Sequence, residues 1–176
     1  MSGHSKWAKL KHTKGKTDAQ KAQLFSKLVR FITIEAKKAK GDRNSPSVRM
    51  AIEKAKEANM PADNIERALS KASTDATEME QVTYEAYGPG GCAIIVEGYT
   101  DSRNRTNQEI KHLLALHGGT LANPGAAMWA FAKGADGKLE ATVPVELSDE
   151  DSQKMAELSD ALEDQDDVSE VYTNAA

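Results

Sequence analysis

From Asp18 to about Lys40, apolar residues recur at three- and four-residue steps: Phe25, Leu28, Val29, Ile32, Ala36 and Ala39. That step is the helical period, and it lays one apolar stripe along a helix. The opposite face carries Gln23, Lys27, Arg30, Lys37 and Lys38, and Gly41-Asp42 ends the run. Ser45-Pro46 predicts a second start, a serine cap with proline in the first turn. This helix runs to about Ala58 with Val48, Ala51, Ile52 and Ala55 inward. After the break "NMPADN", Ile65, Ala68, Leu69 and Ala72 give a third helix its stripe. Three short stripes can be buried only against one another, so residues 18–73 predict a small three-helix bundle.

The period then changes. "STDATEME" is polar and acidic, and residues 74–80 read as a linker. "QVTYEAY" alternates and is rich in strand formers, "GPGG" is a turn, and "CAIIVEGYT" is a second strand. A helix is expected from about Arg103 to His117, with Ile110, Leu113, Leu114 and His117 on its buried side and "HGG" as its stop. "AAMWAFA" and "KLEATVP" read as two strands joined through "KGADG". Ser148 caps a helix whose first turn is acidic, as the helix dipole prefers. "DVSEVYT" is a last short strand. Residues 81–176 therefore predict an α+β lobe. Its last six elements match the order of a ferredoxin-like fold, with one extra N-terminal strand.

Charge sharpens this division. The chain as a whole is acidic, at net −4, yet residues 1–73 carry 17 Lys and Arg against 7 acids and residues 74–176 carry 6 against 20. The first part is +10 and the second −14, which suggests two units with different partners and a polyanion for the first. Residues 1–17 show no period. They read as a flexible basic arm, with Lys6, Lys9, Lys11, Lys14 and Lys16 around Trp7 and His12, and Lys21 follows just inside the first helix. Lysines attract a phosphate backbone, whereas an indole offers a face to an unpaired base or packs back on the bundle.

The second candidate contact is "TDSRNRT". Arg103 and Arg105 fall in the first turn of a helix, where the dipole disfavours cations. With Asn104 and the free N–H groups of the turn they make an anion site. Alternatively, they are ion-pair partners of Asp101, Glu97 or Glu109. If they bind an anion, reversing both charges should weaken binding without unfolding the protein.

Other motifs carry less. "YGPGG" lacks the ending of a phosphate loop and reads as a hairpin turn. His112 and His117 are five apart, which does not make paired metal ligands on one helix face. Ser2-Gly3-His4 could present a copper or nickel set only after loss of Met1, and short N-termini offer that by accident. The single cysteine, Cys92, forms no internal disulfide and fits a reducing cytoplasm. No apolar run reaches membrane-spanning length, and the N-terminus is too polar for a secretory signal. No nucleophile or acid–base set stands out, so no enzyme, cofactor, resident metal or small-molecule substrate is expected.

Taken in order, "GHSKW", "KH", "AQLFSKLVR", "ANMPADNIERA", "YEAYGPGG", "TDSRNRT", "HGG" and "DALEDQDDVSEVYTN" resemble the YebC family. That family includes bacterial proteins labelled probable transcriptional regulators and a mitochondrial translational activator of cytochrome oxidase subunit I. The resemblance implies a helical N-terminal domain, α+β lobes, binding of DNA or RNA, and no enzyme activity; some members act at the ribosome. Two departures stand out. The family usually carries a further α/β lobe, and here Pro144 runs almost directly into "VELSDEDSQKM". Thr13 stands where a basic residue is common.

The combined expectation is a cytoplasmic, nucleic-acid-binding regulator of transcription or translation. It would grip phosphate through Lys6, Lys9, Lys11, His12, Lys14, Lys16, Lys21, Lys27 and Arg30. Trp7 would meet a base, and Arg103, Asn104 and Arg105 would make a second contact. The competing expectation is an adaptor whose basic bundle binds an acidic protein.

Overall fold

A computed structural model describes residues 17–74 and 78–176. The arm residues Lys6, Trp7, Lys9, Lys11, His12, Lys14 and Lys16 lie outside the described residues, as does the His4 site. The architecture is α+β, and the chain divides into two compact units, one from residue 16 to 80 and one covering 81–176.

The first unit has three helices, α1 (Asp18–Lys38), α2 (Pro46–Glu57) and α3 (Ala62–Lys71). Thr17 and Gln20 close a capping box on α1, each side chain taking the other's backbone N–H. Ser45 does not do the same for α2. Its hydroxyl lies 3.2 Å from that of Ser47 and caps no backbone N–H, so the proline at the first position sets that start. Leu28, Ile32 and Ala36 of α1 meet Val48, Ala51 and Ala55 of α2 and Ile65, Ala68 and Leu69 of α3 in one core. The hydroxyl of Thr33, on the buried side of α1, donates to the carbonyls of Val29 and Ala68 and so ties α1 to α3.

The second unit is built on a four-stranded sheet. Its strands are β1 (Glu80–Tyr87), β2 (Ala93–Thr100), β3 (Thr120–Ala122) and β6 (Val168–Thr173), ordered β3-β1-β2-β6. Helix α4 (Arg103–Leu116) links β2 to β3, and α5 (Asp149–Glu163) leads into β6. Ile110 and Leu114 of α4 pack with Met155, Leu158 and Leu162 of α5 against Ala86, Ile94 and Val96 on one sheet face. Cys92 sits in this core with its thiol against the Met155 sulfur, and burial pushes that thiol up, away from reactivity.

The ferredoxin-like order is not what forms. Adjacent β1 and β2, joined through the short turn at Pro89–Gly91, take the middle of the sheet. The segments expected as "AAMWAFA" and "KLEATVP" strands instead form a separate two-stranded sheet, β4 (Phe131–Lys133) with β5 (Leu139–Ala141). A 3-10 turn at Met128–Ala130 precedes it. Together they cover the other sheet face, where Ala127, Ala130 and Phe131 bury Ala93 and Ile95. The outer place beside β1 goes to β3, a strand of three residues that no period announced.

Candidate nucleic-acid interface

The basic candidates on α1 do not form one stripe. At about 100° per residue, Gln23, Lys27, Arg30, Lys37 and Lys38 share a sector roughly 100° wide, and Lys21 points nearly opposite to it. Lys21 lies on the side of the apolar residues but ahead of them, and it is exposed because the core has not yet begun there. Lys27 and Arg30 are half-buried neighbours, while Lys37 and Lys38 are exposed in the last turn, where cations suit the helix dipole. Lys38 also pairs with the buried Glu35 carboxylate at 3.0 Å. On α2, the Lys54 ammonium stands 5.4 Å over the Phe31 ring.

In the second unit, "TDSRNRT" is the end of β2 and the start of α4. The Ser102 side chain does not cap the helix. Its backbone N–H instead donates to the Thr100 hydroxyl at 2.8 Å. Arg103, Asn104 and Arg105 are all exposed. The Arg105 Nη2 donates to Asp101 at 2.8 Å and to Asp167 at 2.9 Å. Asp167 is the hub: its side chain is 3% exposed, and the same Oδ2 accepts from the Thr106 hydroxyl at 2.6 Å and the Thr100 hydroxyl at 3.2 Å. Asp167, and then Asp101, hold the Arg105 proton more tightly than usual. This arrangement fixes the turn leading into β6 against the start of α4.

The backbone explains how Asp167 reaches that position. Its carbonyl accepts from the Tyr99 N–H at 2.8 Å, where β2 and β6 slip register beside Gly98. A Cβ at residue 98 would stand 2.1 Å from that carbonyl oxygen, so only glycine lets the strands close there. The expectation that both arginines can be reversed without structural cost therefore changes for Arg105. A carboxylate there would face Asp101 and the buried Asp167. Reversing Arg103 alone, at the first helical position, leaves the Arg105 contacts to Asp101 and Asp167 in place.

The local partner Asp101 was visible in the sequence, but Asp167 lies 62 residues from Arg105 and no local signal points to it. Two further groups escaped the sequence: the Glu85 carboxylate of β1 accepts from the backbone N–H groups of Gly125, Ala127 and Met128 in the loop before β4, and the Trp129 indole N–H donates to the Ala126 carbonyl of that loop at 2.8 Å. Among the described residues, no group of three or more His, Cys, Asp or Glu is placed to hold a metal ion. Nor, among them, is any helix long and apolar enough to cross a membrane.

Comparison with known proteins covers nearly all of the chain. Residues 5–75 match the family model described as the TACO1/YebC protein N-terminal domain. Residues 79–137 and 133–175 match that described as the TACO1/YebC second and third domain. A "probable transcriptional regulatory protein" of Pseudothermotoga lettingae is 49% identical over 136 residues, covering 76% of this chain and 54% of its own length. The chain thus spans about half the length of the first curated relatives it matches. A protein of the same description from Desulfosudis oleivorans is 34% identical over 238 residues, covering all of this chain and 97% of its own. The crystal structure of a conserved hypothetical protein from Aquifex aeolicus superposes with a TM-score of 0.83 at 31% identity, covering 98% of this chain and 97% of that one.

The two matched stretches overlap at residues 133–137, which run from the last residue of β4 into the turn before β5. That meeting point is earlier than the Pro144 junction suggested by the resemblance. An alignment of 238 residues against a chain of 176 means that the Desulfosudis protein carries residues with no counterpart here. A tight hairpin occupies the point at which the matched stretches join.

Proposed function

The chain belongs to the TACO1/YebC family, and on that footing we propose that it is a non-enzymatic, nucleic-acid-binding regulator of gene expression that grips the phosphate backbone electrostatically. One observation carries this reading: residues 1–40 hold 11 Lys and Arg against 2 acids, a net of +9 in a chain of net −4. The name "probable transcriptional regulatory protein" borne by its relatives agrees with it. In this reading Lys6, Lys9, Lys11, His12, Lys14, Lys16 and Lys21 contact phosphate, with Lys27 and Arg30 beside them. Trp7 meets an unpaired base, and Arg103 with Asn104 offers a second anion contact. The acidic 81–176 unit is repelled by the same polyanion and so limits the orientations in which the strand can lie. The ligand is DNA or RNA, the latter including RNA at the ribosome, in the cytoplasm.

The test is salt dependence. Not every charge reaches one backbone, so about 4–6 phosphate contacts are expected, giving a log–log slope of roughly −4 to −5 on duplex and −3 to −4 on single strands. Deleting residues 2–17 removes five lysines. The slope should flatten by about two units or more, at roughly 0.7–0.9 per contact. Binding by the deleted chain with unchanged affinity and slope would overturn this account. Binding that survives nuclease digestion of every nucleic acid present would favour an acidic protein partner instead.

The same reading treats residues 18–73 as a three-helix bundle that folds by itself, with 74–80 as linker. Its core draws on all three helices. A fragment ending at Thr74 should therefore show cooperative helical melting by circular dichroism. A gradual, non-cooperative melt would mean that the bundle depends on the rest of the chain.

A further inference from the structure

Among the described residues, two exposed large apolar side chains, Trp129 at 57% and Val143 at 43%, flank the base of the β4–β5 hairpin. The Thr142 N–H donates to the Ala130 carbonyl at 2.8 Å, which carries the Phe131–Ala141 pairing one step further, and Trp129 and Val143 are the next residues on either side. The indole is fixed there. Its N–H donates to the Ala126 carbonyl at 2.8 Å and lies 3.2 Å from the Tyr87 hydroxyl, and that hydroxyl donates to the same carbonyl. The loop beneath is pinned in turn by the Glu85 carboxylate, which accepts from the backbone N–H groups of Gly125, Ala127 and Met128. A large ring held open to water costs solubility and brings no packing, so this edge is suited to being covered.

The charge on the same side of the sheet selects what covers it. Ile95 and Tyr172 pack with Ala127, Ala130 and Phe131 of the loop and hairpin. Two residues along each strand, on the same side by strand alternation, stand Glu97 and Glu170, directly opposite each other in the ladder. Like charges so placed repel. Burial, and then the carboxylates of Glu170, Glu97 and Asp136, push the Tyr172 phenol up, so these three acids surround one ring. On the hairpin, the position of a Cβ at residue 134 lies 2.4 Å from Glu140 Oε1 and 3.2 Å from Asp136 Oδ1, so those two carboxylates also converge. Lys133 and Lys138 are the hairpin's cations, and against Glu97, Glu170, Asp136 and Glu140 they leave this side acidic. Its complement is a segment that is both basic and apolar.

We propose that the occupant is the chain's own residues 1–16, which dock on this face until nucleic acid takes them. That segment holds Lys6, Lys9, Lys11, Lys14 and Lys16 and no acid, with Trp7 and Leu10 among them. Trp7 and Leu10 cover the Trp129–Val143 edge, and the lysines meet the carboxylates. Fully extended, a segment of this length spans about 50 Å. A unit the size of 81–176 has a radius of gyration of about 13 Å, so one segment serves both features. Because it belongs to the same chain, its effective concentration is on the order of millimolar, and weak contacts suffice to hold it. The docking itself stands on this face; its consequence rests on the reading that the same lysines grip phosphate. A docked segment is withheld from nucleic acid, so the acidic unit sets how much of it is available.

The test reads acrylamide quenching of Trp129 in the full chain carrying Trp7→Phe, where it is the only tryptophan, and in a chain lacking residues 2–16, which keeps the Thr17 cap. At low salt, most of the quenching seen in the deleted chain should be lost in the full one. It should return near 1 M salt, where the Debye length is about 3 Å, and on saturation with a short oligouridylate. Glu97→Gln with Glu170→Gln should also restore it. The same pair should tighten oligouridylate binding by up to about 10-fold, the factor by which a docked population near 90% holds it back, and should do far less in the deleted chain. Equal quenching of the full and deleted chains at low salt would overturn the dock and leave the electrostatic reading standing. Protection that salt removes, in a chain that binds no strand at low salt, would keep the dock and overturn the nucleic-acid reading. Protection that oligouridylate leaves in place would overturn the competition. Protection that fades on dilution, alongside a dimer in sedimentation, would assign the cover to a second copy and overturn docking within one chain.

Discussion

Asp167→Ala should destabilise the 81–176 unit by about 2–4 kcal/mol, because it removes the common acceptor of a buried network and leaves its donors behind. The Asp167 side chain is 3% exposed, and Thr100 and Thr106, which turn their hydroxyls to it, are buried with 0% and 1% exposure. Neither hydroxyl reaches water in its place: Thr106 can turn its one proton to the Ser102 carbonyl at 3.2 Å or the Thr100 hydroxyl at 2.8 Å, so the loss falls mainly on the Thr100 hydroxyl and on Arg105. For a unit of this size the loss corresponds to a fall of roughly 10–25 °C in melting temperature. Asp167→Asn keeps an acceptor of the same shape without the charge, so it should fall between wild type and Ala. Arg105→Glu should move stability in the same direction as Asp167→Ala, since it sets a carboxylate against Asp101 and Asp167. Urea unfolding followed through Trp129 in a Trp7→Phe background reports on this unit alone. A change under about 0.5 kcal/mol for Asp167→Ala would show that water or a shifted side chain replaces the network.

The same network marks where sequence reasoning stopped. The stripe of α1, the hairpin of β1 and β2, and the acidic first turn of α5 are local patterns, and the chain adopts them within a residue or two. Arg105 was legible only halfway: its position against the helix dipole showed that it had a task, and Asp101 four residues earlier was one candidate partner. The other partner approaches through tertiary contact with β6, which no period encodes. β3 was lost for a related reason. Three residues between Gly118-Gly119 and Asn123-Pro124-Gly125 are too few to show alternation, and only the pairing of Glu85–Tyr87 with Thr120–Ala122 makes them a strand. "AAMWAFA" became a strand only at its end, Phe131 and Ala132. Its apolar run suits a strand, but the amides at Ala127 and Met128 are drawn to the Glu85 carboxylate and withdrawn from any ladder.

That carboxylate gives the other large effect. Glu85→Ala should cost about 2–4 kcal/mol, since three charge-assisted bonds at about 1.5–3 kcal/mol each are lost but part of the loop regains water. Glu85→Gln should cost about half as much. One amide oxygen can still serve Ala127 and Met128, whose N–H groups share Oε2, while the NH2 group confronts the N–H of Gly125 donor to donor. Both variants should loosen the indole more than they unfold the unit, seen as a drop in Trp129 fluorescence anisotropy and faster hydrogen exchange at residues 125–128. The pH dependence follows from the same geometry. Burial pushes the Glu85 carboxyl up, the three backbone N–H groups more than offset it, and the net direction is down from about 4.5. A carboxyl lowered in the folded state contributes its stabilisation fully above its unfolded value and loses it as pH falls through the folded one. The stability difference between wild type and Glu85→Gln should thus be flat through neutrality and shrink only below about pH 4.5, as both side chains become uncharged. A difference that already fades between pH 6 and 8 would mean that the carboxyl is not held charged by the loop, and the account of a pinned Trp129 would fail with it.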